Sequence, residues 1–137
     1  LPGFNESMNM YNVVDSLIKP ATQGKGLGYA LDLNLQQPLR ASYMVSHAWT
    51  ENYNHFLKAL VDSNLEGPFW VCAFAIYQCE DIPEVCIQRQ IGADVSRGPF
   101  ATVLKQCVAM VVVLTPAADI YTRMWCVLEI HMAVQVG

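Results

Sequence analysis

Charge is scarce in this chain. Lysine, arginine, aspartate and glutamate make up 15% of its 137 residues, and the net charge is -4. That balance gives no electrostatic case for nucleic acid, and no long basic run marks a site for an anionic membrane. Apolar residues reach 53%, which excludes disorder for most of the chain. The length suffices for one domain with a core of its own.

Long apolar runs are missing too. The two longest are FWVCAFAIY (Phe69 to Tyr77) and CVAMVVVL (Cys107 to Leu114). Both fall far short of the ~20 residues that a membrane-spanning helix needs, so each predicts a buried strand. No signal-peptide pattern is present. The cysteines lack the close spacing of a zinc site: Cys72, Cys79, Cys86, Cys107 and Cys126 include no pair two to four residues apart. They read as reduced thiols acting as small hydrophobes, expected of an intracellular, cytoplasmic protein. No Gly-x-Ser-x-Gly elbow occurs, and His47, His55 and His131 are far apart, so spacing argues neither a Ser-His-Asp triad nor a metal. There are no internal repeats. The sequence opens on Leu1 rather than methionine and ends in VQVG, as expected of a segment of a longer protein.

What is present alternates between strand and helix patterns. In the N-terminal part, YNVVDSLIKPAT holds an apolar cluster ended by Pro20. Tyr29, Leu31, Leu33 and Leu35 then recur with a period of two, which predicts a half-buried strand ending near Pro38. The intervening GKGLG (Gly24 to Gly28) is not a phosphate loop. Lys25 is followed by Gly26 rather than Ser or Thr, and a dinucleotide fingerprint needs a strand before it and a helix after it. A mobile turn is the expectation there.

A short apolar strand is predicted over 42–46. Thr50 is expected to cap the next helix, with Glu51 in its first turn. Tyr53, Phe56, Leu57, Leu60 and Val61 form one apolar face of that helix. FWVCAFAIY follows as a second strand, continuous rather than alternating, as expected when both faces are covered. A polar connection is expected to hold a short helix with Asp81 as cap and Pro83 in its first turn. Pro99 opens another helix, with Phe100, Val103, Leu104 and Cys107 on its apolar face. VAMVVVL is the third strand, and Thr122 is expected to cap the last helix. This alternation predicts an α/β fold with a doubly wound, mostly parallel sheet over 41–137. Residues 1–40 read as an N-terminal extension carrying one strand.

Two places carry candidate chemistry. SHAWTEN (Ser46 to Asn52) lies where the first core strand ends, the end at which doubly wound sheets bind ligands. Ser46 and His47 offer polar groups there and Trp49 a stacking surface; equally, His47 is a satisfied loop histidine and Trp49 a cover for the sheet. In the last helix, Trp125, Leu128, Glu129 and Met132 share one face, and Cys126, Ile130, Ala133 and Val134 form the adjacent stripe. Glu129 therefore lies within or beside the buried arc. A buried carboxylate needs a partner or loses its charge. It can also line a cleft and bind ligand hydroxyls, or sit at the edge of the arc with its carboxylate in water.

RMWCVLEIHMA after VAMVVVLTP resembles the Toll/interleukin-1 receptor (TIR) domain family, through Trp125, Cys126, Glu129 and Ile130. YMVSHAWTENYNHFLKAL is similar to that family's first strand and helix, and FWVCAFAIYQ to its second strand. TIR-like domains of protist and algal proteins are the nearest in pattern, with Ser-His-x-Trp after the first strand. The resemblance spans residues 42–134. It implies a flavodoxin-like sheet of five parallel strands, the last two expected beyond this segment. It also implies cleavage of the nicotinamide–ribose bond of NAD, with NAD as substrate and no resident cofactor. Glu129 would be the essential carboxylate, with Ser46, His47 and Trp49 across the cleft and Arg123 and Trp125 also binding substrate. Arg123 stands where the family often has serine, and the loop after the second strand lacks the usual Arg-Asp and Pro-Gly pattern. Two other functions fit the same resemblance: a non-catalytic module that signals by self-association, and a sensor that binds a nucleotide without cleaving it.

Overall fold

A computed structural model describes residues 7–116 and 124–136. Three strands form a parallel sheet in the order β2-β1-β3: β1 is Tyr43–Ser46, β2 is Phe69–Val71 and β3 is Ala109–Val112. β1 is the central strand because each flanking apolar run returns to it through a crossover. The first crossover carries α4 (Tyr53–Asp62) and the second carries α7 (Pro99–Gln106). α8 (Met124–Val136) follows β3.

The register shows why these strands are apolar without alternation. Met44 is aligned with Trp70 and Met110, and Val45 with Val71 and Val111. The first row packs against Phe100 and Leu104 of α7 and against Met132 and Ala133 of α8. The second row packs against Phe56 of α4 and Met10, Val13 and Ile18. Two cores thus lie back to back, and a strand covered on both faces has no polar side.

The residues on the second face come from the N-terminal part. α1 (Met10–Val13), a π turn (Val14–Ile18) and α2 (Lys19–Thr22) follow one another without a break. Asn9 and Asn12 cap the start reciprocally. Pro20, which has no N–H to donate, falls in the first turn after the π segment, where the missing bond costs least. Met10 N donates to Trp49 O at 3.0 Å, and Tyr53 N to Met8 O at 2.8 Å. Buried side chains of this size each contribute about 1.5–3 kcal/mol, so the N-terminal helical run belongs to the same core as β1 and α4.

Several expectations fail for identifiable reasons. Tyr29–Leu33 is a helix (α3), not a strand. The alternating leucines are left outside, Leu33 at 66% exposure. The segment is held instead by Tyr29 against Phe74, by Gly28 against the Ala75 carbonyl, and by the Asn34 side chain donating to Ala30 O at 2.7 Å. A Cβ on Gly28 would lie 2.0 Å from that carbonyl oxygen. A helix does follow GKGLG, contrary to the sequence pattern; what precedes it is α2, so the dinucleotide arrangement is still unmet.

FWVCAFAIY is a strand only over its first three residues and turns into α5 (Cys72–Ala75). After Val71 the run has no β-branched residue until Ile76, so local preference for extension fades. Side-chain amides then take over the backbone: Gln78 donates to Ile76 O, and Gln90 brackets Tyr77 by accepting from its N–H and donating to its carbonyl. The N-cap of α4 is Asn52, not Thr50; its Oδ1 accepts from Asn54 N and His55 N at 2.9 and 3.1 Å. Glu51 therefore precedes the helix. Phe56 is buried on α4 while Leu57 and Val61 face outward. Asp81 does not cap; a 3-10 turn (Pro83–Val85) and α6 (Ile87–Ile91) follow it with no side-chain cap. The helix opened by Pro99 forms as predicted, with Phe100 and Leu104 buried and Val103 and Cys107 packed beside them. Thr122 lies outside the described residues. Among the described residues no helix is long and apolar enough to cross a membrane.

Candidate functional site

β1 is the point where the chain divides, leading to β2 on one side while β3 returns on the other. Open α/β sheets bind ligands beyond the carboxyl ends of strands at such a switch. A cavity of about 210 Å³ lies there. Val45, His47 and Trp49 reach it from the end of β1, Ile76 and Gln78 from the chain after β2, and Cys126 and Glu129 from α8. The folding of each connection explains the gathering. β1 stops at Ser46, and the turn into α4 keeps His47 and Trp49 at the mouth. One helical turn separates Cys126 from Glu129, so both project from the same side of α8.

Glu129 is 4% exposed, which settles the three alternatives left by its sequence pattern against a carboxylate in water. The neighbouring walls are largely apolar, including Ile87, Ile91 and Phe100. A low-dielectric wall strengthens any charge interaction that the carboxylate makes with a ligand.

The opposite wall is anchored. Cys126 Sγ donates to His47 O at 3.3 Å, tying α8 to the end of β1. His47 Nδ1 lies 3.0 Å from Glu51 Oε1, both side chains 1% exposed, and the imidazole packs on Phe56 with ring centroids 4.5 Å apart. Trp49 meets Tyr11 edge to face at 5.2 Å. Ser46 is fully buried and is not part of the cavity wall. Arg123 and the side chain of Trp125 lie outside the described residues.

The structure thus brings together three of the predicted site residues: His47, Trp49 and Glu129. It adds Tyr11, Gln78 and Glu51. Tyr11 was invisible in sequence because its contact with Trp49 joins the N-terminal helical run to the distant end of β1. Glu51 had a signal, a carboxylate four residues after a histidine, but its position after Thr50 assigned it to a helix start instead.

Beyond Tyr11, Trp49, Gln78 and Ile87 a second hollow of about 530 Å³ adjoins the first. It is edged by Lys19, Gln23, Glu80 and Asp81 beside apolar residues such as Val14 and Ile87, so it is more polar than the first. Here Tyr77 OH donates to Asp81 Oδ1 at 2.5 Å, and Gly24 N donates to Asp81 Oδ2 at 2.7 Å. Burial, with the bond to Asp81 second, pushes the Tyr77 phenol up to about 12, and the same bond lowers Asp81 below its ordinary value. The turn at Gly24 is therefore pinned. A third cavity of about 440 Å³ borders β2 and α3, but its walls carry no carboxylate, histidine or basic group. Among the described residues no cluster of His, Cys, Asp or Glu could hold a metal. None of the five cysteines is in a disulfide.

The chain matches no protein-family model, and comparison with curated proteins and with solved structures finds no match either.

Proposed function

We propose that this chain is a TIR-like domain that cleaves the nicotinamide–ribose bond of NAD, with Glu129 as the essential carboxylate. One observation carries the reading: Glu129, buried on α8, lines the same cavity as His47 and Trp49 at the carboxyl end of the sheet. The strand order β2-β1-β3 agrees with the first three strands of a flavodoxin-like sheet.

The chemistry follows from the walls. Breaking an N-glycosidic bond passes through a state with positive charge on the ribose. A carboxylate held in an apolar cavity stabilises that charge and can accept hydrogen bonds from ribose hydroxyls. Trp49 and Phe100 provide flat apolar surface for an aromatic leaving group. At about 210 Å³ the first cavity is too small for a dinucleotide, and the larger hollow beside it has room for the remainder.

Incubating the full-length protein with NAD and separating products by chromatography tests this reading. Nicotinamide is expected from the wild type and none from Glu129→Ala, with both proteins folded. No release from concentrated wild type sinks the enzyme proposal.

A second reading, self-association without chemistry, is favoured by one observation. Val108 and Leu114 flanking β3, and Met124 and Val134 on α8, are large apolar residues left exposed, Met124 at 86%. Sedimentation over a concentration series tests it: oligomers that persist in Glu129→Ala would support it.

A further inference from the structure

Three polar side-chain atoms within six consecutive residues are buried and have no hydrogen-bond partner among the described residues: Ser46 Oγ, His47 Nε2 and Glu51 Oε2. An orphaned buried polar atom costs about 1–3 kcal/mol, so such a cluster, of which His47 lines the cavity and Ser46 and Glu51 lie behind it, calls for a purpose. The imidazole among them is rigidly held. Its Nδ1 is bonded to Glu51, its face lies on Phe56, and its own carbonyl accepts from Cys126. If the Glu51 carboxylate accepts in this bond, Nδ1 is the donor, and a neutral imidazole then carries its lone pair on Nε2.

We propose that His47 and Glu51 form a histidine–carboxylate dyad that serves this cavity as its proton acceptor. The assignment of a substrate rests on the NAD reading above; the geometry of the dyad does not. Hydrolysis requires such a group. When the bond breaks, nicotinamide leaves neutral with the electron pair of the C–N bond, and the ribosyl carbon becomes electron-poor. Water adds its oxygen to that carbon and must give up one proton. Nε2 of His47 takes it, and Glu51 stabilises the imidazolium until the proton passes to solvent. Glu129 supplies charge and the dyad supplies basicity, two tasks that one carboxylate performs poorly at once. The titratable groups around His47 are Glu51 on its own turn, Cys126 at its carbonyl, and Glu129 and Tyr11 in the cavity wall. His47 is thereby a catalytic residue. Glu51, which is not part of the cavity wall, is a positioning residue.

The test begins with imidazole nitrogens. Long-range proton–nitrogen spectra of the full-length protein, with histidine labelled with nitrogen-15, report which nitrogen carries hydrogen. His55→Gln and His131→Gln, both at exposed positions, leave the His47 signals by elimination. At neutral pH, His47 is expected to be protonated on Nδ1 and bare on Nε2, and Glu51→Gln to mix the two tautomers. A wild-type His47 protonated on Nε2, as the other tautomer or as imidazolium, overturns the proposal. Nicotinamide release gives the second readout. His47→Gln is expected to lower kcat by on the order of 10²–10⁴-fold. Glu51→Gln is expected to lower it about 10–100-fold with KM little changed, and Glu51→Asp to recover part of the loss. Unchanged kcat in folded Glu51→Gln also overturns it. A wild type with the expected tautomer but no nicotinamide release would sink the NAD reading alone, so the two failures are distinguishable.

Discussion

Two side-chain pairs each send one member, His47 or Asp81, to the hollows at the carboxyl end of this sheet, and they are built differently. Tyr77 and Asp81 satisfy one another: the phenol donates to one carboxylate oxygen, and the Gly24 amide donates to the other and to the phenol. His47 and Glu51 share a single bond and leave Nε2 and Oε2 without a partner among the described residues. A closed network is what a fold uses to hold a loop. An open one, buried and rigid, has capacity that only a ligand or solvent can take up. The difference separates an anchor from a working group on grounds of hydrogen-bond capacity alone.

That separation can be broken by experiment. The largest effect is expected at the cavity itself, where Glu129→Gln keeps shape and removes charge. NAD cleavage should fall by on the order of 10³-fold, read as nicotinamide release, while Tyr77→Phe stays within about twofold of wild type. If Tyr77→Phe matched Glu129→Gln, the anchor would be part of the chemistry. On stability the ranking should reverse. Tyr77→Phe is expected to lower Tm, because Asp81 and the Gly24 turn lose their shared partner.

The pH dependence of unfolding sharpens the contrast. The Tyr77 phenol is raised from 10.0 to about 12 in the folded protein. Its contribution is fully present below pH 10.0 and is lost as pH climbs towards about 12. Asp81 is lowered below 3.8 in the folded state, so its contribution is present above that value and fades as acid protonates it. Denaturation midpoints of wild type should therefore fall off on both limbs, and Tyr77→Phe should flatten the alkaline one. The smallest effect is reserved for Asn52→Ala. Loss of the α4 cap should cost about 1 kcal/mol in urea unfolding, with the Nδ1 signal of His47 unchanged if the dyad is held by burial rather than by the helix start. Thr50→Ala should fall within about 0.5 kcal/mol.

Legibility followed the range of the determining interactions. The positions of the three strands were readable from their apolar runs, although β2 takes only the first three residues of the run over 69–77, and Pro99 marked its helix through its own backbone. Leu31, Leu33 and Leu35 misled because a period of two implies a strand only when one side is buried, and here the leucines face outward. The cap of α4 was ambiguous because Thr50 and Asn52 are both good caps, and the choice between them moves Glu51 from a helix turn to the side of His47. Tyr11 and the pinning of Gly24 depend on residues more than thirty positions away, beyond any local pattern. Glu129 drew notice as the one carboxylate in an apolar helix, and its burial follows from packing against β1 that sequence alone does not display.

The central place of β1 has a consequence for time as well as for form. Its partners start at Phe69 and Ala109, and no neighbour in sequence can complete its ladder. Both crossovers must close before Tyr43–Ser46 is bonded on its two sides, and such non-local parallel pairing is slow to form. Once closed, its amides sit between two cores. In an exchange experiment in heavy water they should be the last protons that the domain gives up.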